Sequence, residues 1–151
     1  MSSPSRAANT ELLSAIQAAK NRLPYLSPND WALMIDRAKQ VSFKKGEILI
    51  QQGVGSKTMY IVAKGKVNVS VFGNSLGKIA PGEICGEMAF LEDSIPSATA
   101  TADEAVQAFA LDWKILGELF ELFPHLASRY YRSLAVNLSR RLREQLVPKK
   151  F

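Results

Sequence analysis

The sequence contains very little of the chemistry on which most enzymes and metal proteins depend. Of its 151 residues, one is a cysteine, Cys85, and one is a histidine, His125. These numbers exclude an internal disulfide and a metal cluster built on several cysteines or histidines. No nucleophile elbow, Walker loop or HExxH motif is present. We therefore expect a protein without catalytic residues, metal or cofactor, in which Cys85 is a small buried hydrophobe and His125 a surface or packing residue.

Long apolar runs are also absent. No run approaches the roughly 20 residues that a membrane-spanning helix needs. The first 30 residues are polar, are interrupted by Pro4 and Pro24, and lack the apolar core of a signal peptide. From these absences we expect a cytoplasmic protein with no membrane insertion. The length of 151 residues and the 47% share of hydrophobic residues fit one domain around one core.

The formal net charge of +5 raises the question of nucleic-acid binding. Much of the excess follows His125 and falls mostly on one predicted helix. We interpret this as a solvated helix face, because neither a second recognition helix nor an aromatic platform accompanies it. A nucleic-acid accessory protein using this basic helix is the alternative. The basic residues concerned are Arg129, Arg132, Arg140, Arg141, Arg143, Lys149 and Lys150.

Two short amphipathic helices are predicted within residues 10–40. Residues 1–9 are small and polar, which indicates a disordered tail. Thr10 is placed to cap a first helix that ends by Pro24. The segment Ser27-Pro28-Asn29-Asp30 is typical of a second helix start, with a proline in the first turn and an acidic residue near the N-terminus.

Residues 41–111 show a different pattern, in which short runs of β-forming residues are separated by glycine turns. Close spacing of such runs favours an antiparallel sandwich or barrel over alternating strands and helices. After residue 111 the helical pattern returns, first from about Asp112 to Phe120 and then, after an interruption at Pro124, from about Leu126 to Leu146. The predicted fold class is mainly β with flanking helices (α+β).

Two groups of motifs in this β region resemble those of the cyclic nucleotide-binding domain, a sensor shared by bacterial catabolite activator proteins and the regulatory subunits of protein kinase A. The resemblance covers about Trp31 to Leu146 and implies an antiparallel jelly roll, or β-roll, with N-terminal helices and a long C-terminal helix. The first group is Phe43, Gly46, Gly53, Tyr60-Ile61-Val62, Gly65 and Val67-x-Val69, and the second is the continuous segment Pro81-Gly82-Glu83-Ile84-Cys85-Gly86-Glu87-Met88-Ala89-Phe90-Leu91.

We call residues 82–102 the cassette, because they resemble the family's phosphate-binding segment. A glycine before a short helix leaves backbone N–H groups free for an anion. The resemblance implies that Glu87 meets a ribose hydroxyl, although the same side chain could instead brace its own turn. The ligand-binding residues of a functional cassette would be Gly86, Glu87, Met88, Ala89, Ser97, Ala98 and Thr99.

The cassette lacks the arginine that the resemblance implies nine or ten residues after the glutamate. Pro96 and Ser97 occupy those positions. We expect the loss of this cation, together with local acidic residues, to weaken cyclic nucleotide binding by roughly several hundred-fold or more. The candidates for a replacement cation from the β region are Lys64, Lys66 and Lys78. Between residues 83 and 104 there is no lysine or arginine, and the acidic residues are Glu83, Glu87, Glu92, Asp93, Asp103 and Glu104.

The final predicted helix carries an apolar residue every four positions. Such a row drifts around a helix of 3.6 residues per turn, so one end can pack on the β-roll while the other faces a partner. The resemblance implies that this helix covers the ligand, with Gln145 as a lid, and forms a homodimer or partner surface through Tyr131, Leu134, Leu138 and Leu142. Packing within the chain alone is the alternative. The row comprises Leu126, Tyr130, Leu134, Leu138, Leu142 and Leu146.

These observations predict a non-catalytic regulatory module that acts through a protein partner or a non-standard ligand. The chain stops at Phe151, so we expect any output to pass through another protein. A sensor of cyclic AMP or cyclic GMP with a displaced cation is the first alternative, and the nucleic-acid accessory protein is the second.

Overall fold

Two packed β-sheets form the body of the protein. The computed structural model describes the backbone of residues 6–146, and the side chains of residues 10–144 and of Leu146. In this part of the chain the strands form two four-stranded sheets, with the orders β1-β8-β3-β6 and β2-β7-β4-β5. The strands are β1 (Lys39–Phe43), β2 (Ile48–Ile50), β3 (Thr58–Lys64), β4 (Val67–Val71), β5 (Asn74–Ile79), β6 (Ile84–Cys85), β7 (Thr99–Ala102) and β8 (Val106–Asp112).

Helices flank the sheets at both ends of the described chain, and a short one lies within the cassette. Strands paired in space are mostly distant in sequence, and every pairing is antiparallel. This topology confirms the predicted jelly roll with N-terminal helices and a long C-terminal helix. None of the described helices is both long and apolar enough to cross a bilayer. The helices are α1 (Arg6–Ala18), α2 (Pro28–Ile35), α3 (Glu87–Glu92), α4 (Trp113–Leu122) and α5 (Pro124–Leu146).

The two central strands of the first sheet separate two hydrophobic clusters. Side chains of a strand alternate between its faces, so Ile61 and Phe109 pack with the helices whereas Val62 and Ala108 pack between the sheets. The helices therefore cover one face of the roll, and the second sheet covers the other. Tyr130 of α5 is fully buried in the helical cluster.

Helix ends differ in part from the sequence expectation. Helix α2 begins in the segment predicted as a helix start, where Ser27 and Asp30 form a capping box. Helix α1, however, begins at Arg6, so residues 6–9 are helical and the tail predicted for residues 1–9 is wrong there; residues 1–5 lie outside the described range. Alanines 7 and 8 are strong helix formers that extend the helix before Thr10. Helix α5 begins at Pro124, because proline is well tolerated in a first helical turn.

The apolar row of α5 changes from buried to exposed along the helix. Leu126 and Tyr130 are buried against the roll, whereas Leu142 and Leu146 are 58% and 71% exposed. Leu134 is only 3% exposed, so its assignment to a partner surface is wrong: the helix is still in contact with the roll at that turn.

Helix α5 also holds the connection between α1 and α2. The Arg129 guanidinium donates two hydrogen bonds, of 2.7 and 2.8 Å, to the buried carboxylate of Asp30. One helical turn later, Ser133 Oγ accepts a bond of 2.9 Å from the backbone N–H of Tyr25. These contacts fix residues 21–30 along the helix.

Gly82 allows helix α1 to approach the roll closely. Its φ of +87° lies in the left-handed region, and its N–H donates to the carbonyl oxygen of Val62 at 2.7 Å. A Cβ at this position would collide with the backbone carbonyl of Ala15 in α1. The docking of α1 therefore requires glycine for space as well as for conformation.

We expect Gly82→Ala to destabilise the protein more than Gly46→Ala does. Gly46 has a similar φ of +90°, but a Cβ there would meet nothing within 4 Å. Both variants incur the left-handed cost of about 1 to 2 kcal/mol, and Gly82→Ala adds the collision with α1. Urea denaturation measures the free energies of unfolding. Equal losses in the two variants would contradict the close approach of α1 at Gly82.

Candidate functional site

A pocket of about 530 Å³ opens beside the cassette. Its walls come from the start of α3, residues 96–100, the β4–β5 hairpin and the last turns of α5. The beginning of the α1–α2 connection, Lys20 and Asn21, completes them. The structure thus brings together all of the cassette residues predicted from the sequence. Those lining the pocket are Gly86, Glu87, Met88, Ala89, Ser97, Ala98 and Thr99.

Gly86 forms the turn from β6 into α3. Its φ is +92°, and a Cβ would lie 3.0 Å from the carbonyl oxygen of Thr58 and 3.1 Å from Cδ1 of Ile50. Glycine is therefore favoured here by conformation and by the nearness of β3. Because Ile50 also lines the pocket, the same turn shapes the pocket floor.

The positions expected to carry the cassette cation are electrically neutral. Pro96 is buried and its carbonyl oxygen accepts a bond from the N–H of Gly53 at 2.9 Å, whereas Ser97 is exposed. The hydroxyl of Thr99 accepts a bond of 3.0 Å from the N–H of Gln52. This hydroxyl therefore already joins the cassette to the loop between β2 and β3.

The acidic residues of the cassette do not gather at the pocket. Glu83 is buried and accepts bonds from the N–H groups of Asn21 and Ala80, at 2.9 and 3.0 Å. Asp103 pairs with Lys78 at 2.7 Å. Of the six acidic residues between positions 83 and 104, Glu87 is the one that lines this pocket in the described structure. The expectation that six acidic residues jointly oppose an anion there is therefore wrong, because five of them do not line the pocket and two of these, Glu83 and Asp103, are engaged by other groups.

Three cations line the pocket instead, namely Lys20, Lys78 and Arg141. Of the replacement cations considered from the sequence, Lys78 is present, whereas Lys64 pairs with Glu11 at 3.4 Å and does not line the pocket. Lys66 is likewise absent from the lining. Lys20 lies in the α1–α2 connection and Arg141 in α5, and both were missed. The Arg140-Arg141-Leu142 segment was a usable signal for Arg141, but nothing in the sequence singled out Lys20.

The carboxyl group of Glu87 is half-buried at the pocket wall. Burial raises its pKa above the ordinary value, while its own backbone N–H and Arg141 act in the opposite direction and Glu83 adds to the rise. Glu87 therefore lines the pocket, while its bracing of the turn stays a prediction.

The side chains of reactive type have structural environments. Cys85 is 3% exposed, and burial raises the pKa of its thiol well above the usual range, which disfavours the reactive thiolate. This agrees with its interpretation as a small buried hydrophobe. His125 is exposed near the start of α5. Among the described residues, no group of three or more His, Cys, Asp or Glu side chains is placed to hold a metal ion.

Two hydrogen bonds of the Asn21 backbone join the pocket wall to α5. The backbone N–H of Asn21 donates to Glu83, and its carbonyl oxygen accepts a bond of 3.0 Å from Nδ2 of Asn137. Arg141 and Glu144, one and two turns further along α5, line the pocket. The predicted lid residue, Gln145, follows them in the helix, but its side chain lies outside the described residues.

The family model of the cyclic nucleotide-binding domain matches residues 40–122, more than half of the chain. The chain belongs to this family. The match includes the two sheets and the whole cassette, and it ends with α4. The cyclic nucleotide-binding domain is thus the scaffold that carries the cassette.

Known proteins of this family resemble the chain over most of its length. The cyclic AMP receptor protein of Thermus thermophilus is 32% identical over 79% of this chain and 56% of its own length. Cyclic GMP-binding protein C of Dictyostelium discoideum is 23% identical over 78% of this chain. The crystal structure of the N-terminal domain of a Streptomyces coelicolor transcriptional regulator has a TM-score of 0.69 and 26% identity, covering 86% of this chain and 94% of that one.

The chain spans only part of the curated relatives that it matches. The aligned region is 5% of the Dictyostelium protein and 56% of the Thermus protein. A receptor protein and a transcriptional regulator are regulatory proteins, so the comparisons support a regulatory domain.

We expect Glu87→Gln to increase stability at neutral pH. Folding raises the pKa of this acid, so the folded state loses stability relative to the unfolded state as the pH rises from the ordinary value of 4.5 through the raised value. The neutral amide removes that loss. Thermal denaturation from pH 4 to 7 should show a difference from the parent protein that grows with pH.

The matched control is Glu92→Gln, an exposed carboxylate on the same helix. We expect its stability to follow the parent protein across this pH range. A Glu87→Gln variant that is uniformly less stable would show that the carboxylate is needed as a charged partner, contrary to this account.

Proposed function

We propose that this domain is a non-catalytic regulatory module whose cassette pocket takes a small organic ligand, and that it does not bind cyclic AMP or cyclic GMP tightly. The observation that carries the proposal is an open pocket of about 530 Å³ with proline and serine at the positions of the cassette cation. A module that acted only as a protein scaffold would have no need of such a pocket. Any change on ligand binding would then be passed to a partner protein.

The absence of the cassette cation lowers the binding free energy that a phosphate group can gain here. A hydrogen bond between a charged donor and a phosphate contributes about 1.5 to 3 kcal/mol, which corresponds to roughly ten-fold to a hundred-fold in affinity. Lys78 is held by Asp103 at 2.7 Å, so its use for a phosphate would break an existing ion pair. Glu87 is retained, but by itself it offers nothing to a phosphate.

A cyclic nucleotide sensor with a displaced cation is the second candidate. Lys20, Lys78 and Arg141 at the pocket support it. The names of the relatives also support it, since one is a cyclic AMP receptor protein and another is a cyclic GMP-binding protein. In this case a cation from α5 or the α1–α2 connection would replace the cassette arginine.

Titration calorimetry with cyclic AMP and cyclic GMP separates the two candidates. We expect no binding at micromolar concentrations by the parent protein. Ser97→Arg should improve the affinity by about ten-fold or more, because it returns a planar cation to an exposed position on the pocket wall. Ser97→Gln, a long neutral side chain, is the control and should give no gain.

Micromolar or tighter binding by the parent protein would contradict the first proposal and establish the sensor. Equal behaviour of Ser97→Arg and Ser97→Gln would show that the absence of the cassette cation does not limit the affinity.

We also propose that the protein forms a homodimer through the exposed end of α5. Leu138 is half-buried there, and Leu142 and Leu146 are increasingly exposed along the same apolar row. Tyr131, which is 42% exposed, lies earlier on the helix but makes edge-to-face ring contacts with Phe120 and Tyr130. The dimer surface is therefore assigned to the last turns of α5.

Light scattering at high micromolar concentration tests the dimer. We expect a dimeric mass for the parent protein and a monomeric mass for Leu142→Asp, because an aspartate cannot be buried unpaired in an apolar seam. Leu122→Asp is the control, since Leu122 is 68% exposed on α4 and its substitution should leave the mass unchanged. A monomeric parent protein would contradict the proposal.

A further inference from the structure

The pocket takes two of its cations from helix α5 and from the segment after α1. The α1–α2 connection contributes Lys20 and helix α5 contributes Arg141. These two parts of the chain are joined close to the cations, because the carbonyl oxygen of Asn21 accepts a bond of 3.0 Å from Nδ2 of Asn137, one turn before Arg141. Pro96, Ser97 and Thr99 of the same pocket carry no charge, so an anionic group is attracted to the cationic side chains and not to positions 96–99.

Lys20 and Arg141 differ from the cations of the protein that form salt bridges. Lys78, Lys64 and Arg129 each form a salt bridge, with Asp103, Glu11 and Asp30 respectively. Within the described side chains, neither Lys20 nor Arg141 has a carboxylate within 4.0 Å. An acidic ligand group would gain charge-assisted hydrogen bonds to them without breaking a salt bridge, and at Arg141 it would compete with the electrostatic attraction to Glu87.

Part of the pocket wall is apolar. The β4–β5 hairpin contributes Val69, Val71, Leu76 and Ile79 to the pocket. Leu76 is 67% exposed, so a ligand lying on this hairpin would cover an apolar side chain that otherwise faces water. A mostly apolar ligand body matches this wall, because burial of apolar surface is favourable at both partners.

We propose that the ligand of this pocket is an amphipathic organic anion: a molecule with an apolar body, which lies on the β4–β5 hairpin, and one acidic group, which is held by Arg141 and Lys20. The proposal rests on the proposed function, since it names the ligand class of the same pocket. The acidic group is a carboxylate, sulfonate or phosphate monoanion, which the planar guanidinium of Arg141 can bind through two hydrogen bonds.

Two carboxylates at the pocket set limits on this anion. Glu144 lies on α5 close in sequence to Arg141, and Glu87 lies at the start of α3. Burial disfavours the charged form of Glu87. A ligand of high negative charge is therefore disfavoured.

A ligand held in this way would join two parts of the structure. Lys20 precedes Asn21, whose backbone is clamped between Glu83 and Asn137, and Arg141 lies one turn beyond Asn137 on α5. The acidic group would therefore reinforce the contact between the α1–α2 connection and α5. Helix α5 is the element through which binding would be communicated.

Fluorescence titration with two dyes tests the proposal. Anilinonaphthalene sulfonate is an aromatic anion, and N-phenylnaphthylamine has the same ring system without the sulfonate. We expect the parent protein to bind the anionic dye about ten-fold more tightly, and Arg141→Gln to remove that preference while leaving the neutral dye unaffected. The preference should decrease with added salt.

Three further variants make the test specific. Arg140→Gln removes an exposed charge beside Arg141 that does not line the pocket, and it should keep the preference. Arg141→Lys should recover part of it. Ser97→Trp places a large ring on the pocket wall and should weaken the binding of both dyes, which shows that they bind in the pocket.

Equal affinity for the two dyes, unchanged in Arg141→Gln but weakened in Ser97→Trp, would overturn the anion site and leave the ligand-binding pocket intact. Failure of both dyes to bind would overturn the proposed small-molecule function and this inference with it.

Discussion

The pocket depends on the buried carboxylate of Glu83. It accepts two backbone N–H groups, one from its own loop and one from Asn21 in the α1–α2 connection. Buried carboxylates are tolerated when their hydrogen bonds are satisfied, and here those bonds tie the start of the cassette to the pocket margin. Asn137 then holds the same backbone from α5. Among the described residues, Glu83 provides a polar connection between the cassette and the α1–α2 connection at this corner.

Local sequence signals predicted the local geometry of the site. The glycine turn at Gly86 and the helix start at Pro28 follow from patterns over a few residues, whereas the gathering of seven cassette residues follows from the resemblance to the family. The positions of the charges did not follow in this way. Glu83 and Asp103 are engaged by Asn21 and Lys78, which are distant in sequence. A count of acidic residues along the chain therefore misjudged the field in the pocket.

Lys20 and Arg141 show why the cationic margin was inaccessible to sequence reasoning. One follows α1 and the other lies near the end of α5, and both reach the pocket only because α5 packs along the α1–α2 connection. The apolar row of α5 was a valid guide to this packing, since Leu126, Tyr130 and Leu134 are buried. It could not locate the turn at which the helix leaves the roll, because that depends on the width of the roll.

Membership of a family fixes the scaffold more firmly than the ligand. The jelly roll and the short cassette helix are present here, and the cations that line the pocket lie in the α1–α2 connection, in β5 and in α5 and not at positions 96 and 97. A cation on the cassette holds a ligand against the roll. A cation on α5 holds it against the element that bears the exposed leucines. The proposed use of Arg141 would therefore connect the ligand directly to the surface that we propose another chain recognises.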